Sequence, residues 1–473
     1  MRLLTLAASL AIAAASPALG GCGETASPVQ MEPVEAGLTE AVDPAVLAGD
    51  WLGVLDVGAG ELRLALELDH GEDGLSGTLV SVDQGGARMA LSLVTIDGRR
   101  FRFEATQPGF SYSGEVAGAD RINGLFTQNG RDLPLSFDRQ ASALTEAPVV
   151  PSSPDETEIQ LAAVNPQTGQ TVTLAGTLRD PDGARAGVVI LSGSGPQDRD
   201  GSIAGHALYA EWAARLADLG VASLRLDDRG VGGSQLLIPQ SPEDLGWDAA
   251  AALEHLRDET GLSCVGYLGH SEGGWIALLA APASRPDFII SMAGMHEAME
   301  PTLRRQSEAI IRASGGGDAA VDANRVLQEA MFDVLRTAQP GDDIAAALET
   351  ALLGAGAPAN VAQSQAAIWG QPYAAASFQT DPAQAAAAYS GPMLALFGAT
   401  DTQVLAEPTS AALTASRPNA DTRTVTIDGV DHLFQDNASG APGAYGAGGH
   451  ALSPAAARVM AMEFSALLDR TCQ

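Results

Sequence analysis

The chain has 473 residues, a formal net charge of −32 and a pI of about 4.3; 46% of it is apolar but only 5% aromatic, which predicts two or three domains with largely aliphatic cores. So acidic a surface repels phosphate backbones and argues against a nucleic-acid partner. All 26 basic residues are arginine, which excludes Schiff-base enzymes, lysine-dependent phosphate loops and serine–lysine dyads, since each needs the lysine amine.

The N-terminus carries one charge, Arg2, then an apolar stretch from Leu3 to Ala15 and a run of small residues. This reads as a secretory signal over 1–22, too short for a transmembrane helix. Leu19-Gly20-Gly21-Cys22 resembles a bacterial lipobox, so lipid on Cys22 and anchoring in the cell envelope are expected. Ordinary cleavage near Ala18-Leu19-Gly20 is the alternative. Residues 23–46, with Pro28, Pro33 and Pro44, read as a polar tether.

From 47 to 140 the pattern has a period of two. Leu62, Leu64, Leu66 and Leu68 alternate with Arg63, Ala65, Glu67 and Asp69, and glycine-rich turns punctuate the runs. A small antiparallel β domain follows, a sandwich or incomplete barrel without a cluster of titratable residues; His70 falls in a turn. Residues 141–157 are a proline-rich linker.

Beyond the linker, apolar runs at 187–192, 221–226, 264–268, 288–293, 393–398 and 422–427 alternate with helical segments such as 207–219 and 247–259. Continuous apolar strands between amphipathic helices predict an α/β fold with a parallel sheet covered on both faces. Two earlier strands, 158–164 and 171–178, form an antiparallel edge, making eight in the unit 158–473. Residues 296–389, rich in alanine and acids, carry no strand and read as a helical cap over the C-terminal edge of the sheet. Segments 301–313 and 320–337 have helical spacing.

Gly269-His270-Ser271-Glu272-Gly273 follows one of these strands and opens a helix. Glycines on both sides permit the tight turn that holds a serine nucleophile in a strained conformation. Such a serine needs a base, and the base an orienting acid. Asp401 follows the strand at 393–398 and His432 the strand at 422–427, in the order serine, acid, histidine. Asp428 and Asp431 compete with Asp401, and His450 with His432, but His450 follows a glycine-rich loop and no strand. The oxyanion donors expected are the backbone N–H groups of Glu272 and of Ser194 (Gly195 next) in the loop Ser192–Asp198. Asp198, Arg199 and Asp200 read as an ion-pair brace.

These segments together resemble the α/β-hydrolase superfamily over about 158–470, nearest to bacterial carboxylesterases and serine-aminopeptidase-like hydrolases. Gly193-Ser194-Gly195-Pro196-Gln197-Asp198-Arg199-Asp200 is similar to their oxyanion loop, Asp227–Ser234 to their turn after the fourth strand, and Asp431-His432-Leu433-Phe434 to their histidine segment. Ser192 stands where many lipases carry histidine, which weighs against lipase activity. The resemblance implies the catalytic set Ser271, Asp401 and His432, a small or medium ester substrate, and neither metal nor cofactor; oligomeric state is left open. An aminopeptidase would need cap carboxylates for the substrate α-amine, with Glu297 and Glu300 available, and an inactive ligand-binding lipoprotein is a further alternative. In such a fold Cys264 starts a strand at the lower sheet edge and the last helix ends there, so Cys264 and Cys472 can approach and pair; two separate thiols are the other outcome.

Overall fold

The structure, a computed structural model, describes residues 42–56, 61–71, 74–81, 87–105, 109–118, 120–128, 131–139, 153–203, 206–446 and 452–472. The expected signal segment with Cys22, most of the expected tether and linker, and His450 lie outside the described residues. Contacts divide the chain into two units, one built on a nine-stranded sheet and one on an eight-stranded sheet.

The alternating stretch forms nine antiparallel strands between Gly49 and Arg139. Along them every second side chain turns inward: Trp51, Leu64, Leu66, Phe101, Phe103, Tyr112 and Phe137 are buried in one core. Phe103 stacks on Tyr112 at 4.9 Å, and the Arg139 guanidinium covers Trp51 at 4.1 Å. The two edge strands, Ala87–Ala90 and Leu93–Asp97, are consecutive in the chain, so the sheet curls as an incomplete barrel. His70, expected in a turn, lies in the strand Glu61–Gly71 and is exposed.

The second unit contains β1 (Glu156–Val164), β2 (Thr171–Arg179), β3 (Ala186–Leu191), β4 (Val221–Leu226), β5 (Val265–His270), β6 (Ile289–Met292), β7 (Met393–Gly398) and β8 (Thr422–Ile427). Their order is β1-β2-β4-β3-β5-β6-β7-β8, with β2 antiparallel to both its neighbours β1 and β4 and every other pair parallel. This is the fold class the sequence predicts. Helices α1 (Leu208–Asp218), α2 (Pro242–Thr260) and α3 (Glu272–Ser284) connect the central strands. Both sheet faces are covered: Met393, Ala395 and Phe397 join one core, while Leu394 and Leu396 of the same strand join the other. That two-sided burial explains why the strands read as unbroken apolar runs.

Between β6 and β7 the chain forms six helices: α4 (Met299–Ala313), α5 (Asp318–Thr337), α6 (Ile344–Gly354), α7 (Ala359–Trp369), α8 (Pro372–Gln379) and α9 (Pro382–Ala388). The first two carry clear apolar stripes and match their expected spans closely. The last four are alanine-rich, so their periodicity is weak, and Leu348, Leu352, Ala362, Ala366 and Trp369 are buried against the rest of the unit. Helices α10 (Ala406–Ser416) and α11 (Pro454–Thr471) complete the unit. Cys472, just past α11, is joined to Cys264 by a disulfide with a Cα–Cα distance of 5.5 Å. Among the described residues no helix is long and apolar enough to cross a membrane.

Candidate active site

Strand β3 lies between β4 and β5, so consecutive crossovers leave it in opposite directions and open a crevice above its C-terminal end. Ser271 sits there, between β5 and α3, at φ 53° and ψ −117°. Its glycine neighbours are sterically required. A Cβ on Gly269 would lie 2.2 Å from the Gly273 carbonyl oxygen, and one on Gly273 would lie 2.5 Å from that of Leu191. The turn is held by Ser271 N–H donating to Met292 O (2.9 Å) and by Met295 N–H donating to Ser271 O (3.1 Å). Strain of this kind persists only where surrounding bonds over-determine it.

Asp401 and His432 come together on neighbouring strand ends. His432 Nδ1 is 2.8 Å from Asp401 Oδ2, and both side chains are buried. The other Asp401 oxygen accepts the N–H groups of Gln403 (2.7 Å) and Val404 (2.9 Å), which fixes the carboxylate plane. Asp431 instead builds the turn, accepting from Leu433 N–H, Gln435 N–H and the Asn437 amide. Asp428 is exposed.

Ser271 and His432 line one pocket together with Gly193, Ser194 and His270; cap helix α4 adds Met299, Thr302, Leu303 and Gln306, and Gln403 and Val404 close the other side. Glu272 follows Ser271 directly in the chain, and Ser194 lines the same pocket. The Gly193 N–H is already donated to Tyr209 Oη at 2.9 Å, so it is engaged within the protein. Arg199 pairs with Asp227 at 2.8 Å and Arg225 with Asp200 at 3.1 Å, while Asp198 accepts the N–H groups of Asp200 and Ser202 and is a turn former.

Three contacts around the serine have no signature in the sequence. His270 is fully buried; burial, and then the neighbouring His432, push it down to about 3, so it is neutral. Its Nε2 is 3.0 Å from the His432 carbonyl oxygen, making it the donor there, and its Nδ1 is 3.1 Å from Tyr209 Oη. Glu272 is valued in the sequence for its N–H alone, yet its carboxyl is buried and accepts from Tyr373 of α8 at 2.9 Å. Burial pushes this carboxyl up to about 7, against the hydrogen bond from Tyr373, which favours its charge. Asp228, beneath the same loop, is also pushed up to about 7, chiefly by burial. Only a tertiary fold could reveal these partners, because Tyr373 lies about a hundred residues away in a segment without pattern.

Residues 200–328 match a family model described as serine aminopeptidase, S33. No curated protein matches the chain. Solved structures it is similar to include a thermophilic esterase from Thermogutta terrifontis with malate bound, 18% identical, covering 67% of this chain and all of that one at a TM-score of 0.39. An esterase from Pyrococcus furiosus is 11% identical, covering 67% of this chain and 91% of that one at 0.41. Est1E from Butyrivibrio proteoclasticus, with ferulic acid bound, is 15% identical over 63% of this chain and 96% of that one at 0.38. At these identities and scores the likenesses say nothing about substrate. With its strand order, crossover pattern and strand–serine–helix turn, the chain has an α/β-hydrolase-superfamily fold, a serine-aminopeptidase family match within it, and a β-sheet domain ahead of it.

Proposed function

We propose that the second unit is a serine hydrolase in which Ser271 attacks an acyl carbon, His432 takes its proton, and Asp401 orients and stabilises the imidazolium. The N–H groups of Glu272 and Ser194 bind the oxyanion of the tetrahedral intermediate, and water activated by His432 releases the acid from the acyl-enzyme. One observation carries this reading. A strained Ser271 lines the same pocket as His432, whose other ring nitrogen is held 2.8 Å from Asp401.

The family match backs an amide substrate with a free amino end, the aminopeptidase reading, better than the ester hydrolysis expected from sequence. The ester reading keeps two observations in its favour. Glu297 pairs with Arg305 at 2.6 Å, and Glu300 with Arg304 and Arg336 at 3.0 Å each, so neither carboxylate is free for an α-amine. Met299, Leu303 and Val404 give the pocket apolar walls suited to an acyl chain. Aminoacyl p-nitroanilides and p-nitrophenyl butyrate assayed side by side decide between the two. Fluorophosphonate labelling of the wild type, abolished in Ser271→Ala, tests the shared chemistry; an unlabelled wild type would sink it and leave a ligand-binding role. We further propose export, with lipid on Cys22. The Cys264–Cys472 disulfide supports an oxidising compartment, and mass analysis of the mature N-terminus tests the lipid.

A further inference from the structure

Tyr209 of α1 is not among the residues lining the pocket, yet its buried hydroxyl meets two segments of the site. It accepts the Gly193 N–H at 2.9 Å, and lies 2.9 Å from Gln197 Oε1 and 3.1 Å from His270 Nδ1. Gln197 Nε2 in turn donates to the Ser194 carbonyl at 3.3 Å. The peptide that carries the Ser194 N–H therefore sits between two tethered neighbours, one held by Tyr209 directly and one through Gln197. Space is tight here, since a Cβ on Gly193 would lie 3.3 Å from both His270 Nδ1 and Ser271 Cβ. On the other side His270 Nε2 donates to the His432 carbonyl at 3.0 Å, so Nδ1 can only accept and draws on the Tyr209 proton. Neither Gln197 Oε1 nor His270 Nδ1 has another donor among the described residues. For packing alone phenylalanine would serve at this position. What the hydroxyl adds is a shared anchor for the oxyanion loop and the histidine segment.

We propose that Tyr209 is a positioning residue: its hydroxyl holds the oxyanion loop and, through His270, the His432 segment in one frame around Ser271. This rests on the Ser271 reading above. Oxyanion donor and general base are then aligned on the nucleophile by a single oxygen rather than by separate contacts. The effect falls on the transition state rather than on ground-state binding, because oxyanion and imidazolium form only as attack proceeds.

Saturation kinetics of fluorophosphonate labelling separate the maximal rate from the half-saturating concentration. In Tyr209→Phe the maximal rate is expected to fall about 10- to 100-fold, the scale of misplaced catalytic groups, with half-saturation within about twofold. Two further variants cut one arm each. Gln197→Met keeps the chain length and the backbone N–H but removes the amide between Tyr209 and Ser194. His270→Gln offers an amide nitrogen in place of Nε2, which keeps the bond to His432 and drops the one to Tyr209. Each should slow the maximal rate severalfold, and His270→Gln should slow Tyr209→Phe no further, because the contact it removes is already gone. A double variant slower than Tyr209→Phe overturns the coupling. If Tyr209→Phe does not fold, the two single-arm variants decide the matter. A wild-type maximal rate in Tyr209→Phe, wild-type rates in both single-arm variants, or changes confined to half-saturation overturn the proposal while leaving the Ser271 reading intact. A wild type that does not label, or a Ser271→Ala variant that does, brings down both.

Discussion

Asp401→Asn separates an orienting role from a merely structural one. In the wild type one carboxylate oxygen accepts two N–H groups, from Gln403 and Val404, and the other faces His432 Nδ1 at 2.8 Å. Asparagine has the same shape, but the two N–H donors oblige its single oxygen to face them. Its NH2 group must then point at His432 Nδ1, which has to accept. The ring is thereby locked with its proton on Nε2, the nitrogen that should take the proton of Ser271. The geometry survives while the tautomer is wrong, a change worth about 10⁴ in kcat for the same substitution in a known Ser-His-Asp enzyme, or roughly 5 kcal/mol. Stability should barely move, since no cavity opens and both N–H groups stay paired. The assay is hydrolysis of the best substrate from the panel above, with labelling rate and Tm recorded in parallel. A folded Asp401→Asn protein within tenfold of wild-type activity would refute the tautomer argument.

Further expectations concern stability. The Cys264–Cys472 link spans 208 residues, so Cys472→Ser should cost about 2–5 kcal/mol by chemical denaturation; an unchanged midpoint would count against an entropic role. Gly273→Ala pushes a methyl group to 2.5 Å from Leu191 O and 2.6 Å from Ser192 O, both backbone, so loss of labelling together with a lower Tm is expected. A variant that labels normally would contradict the close packing of α3 on β3. Glu272 is held near 7 in the folded chain, above its unfolded value of 4.5. Its contribution to stability is therefore intact below about pH 4.5 and lost as pH rises to about 7, on the order of 3 kcal/mol. Asp228 acts in the same direction. Glu272→Gln should flatten the fall in Tm between pH 5 and pH 8, and an unchanged slope would show that the titrating group lies elsewhere.

Local chemistry alone determined much of this protein. Period-two alternation announced the β domain, and unbroken apolar runs between helices announced a sheet buried on both faces. Gly269 and Gly273 announced the turn, because backbone atoms 2.2–2.6 Å from where their Cβ would be exclude any side chain there. Asp401 and His432 were legible as candidates because a parallel sheet delivers the residues after β7 and β8 to the same edge as Ser271. The cap was legible only as a gap without strands; in α6–α9, alanine gives too little contrast between faces for periodicity to mark the helices. Tertiary structure alone decided which groups meet. It spent the Gly193 N–H on Tyr209, turned His270 onto the His432 carbonyl, engaged Glu297 and Glu300 with arginines, and brought Tyr373 across about a hundred residues to Glu272. Those pairings depend on distances between segments far apart in the chain, and spacing along one segment carries no information about them.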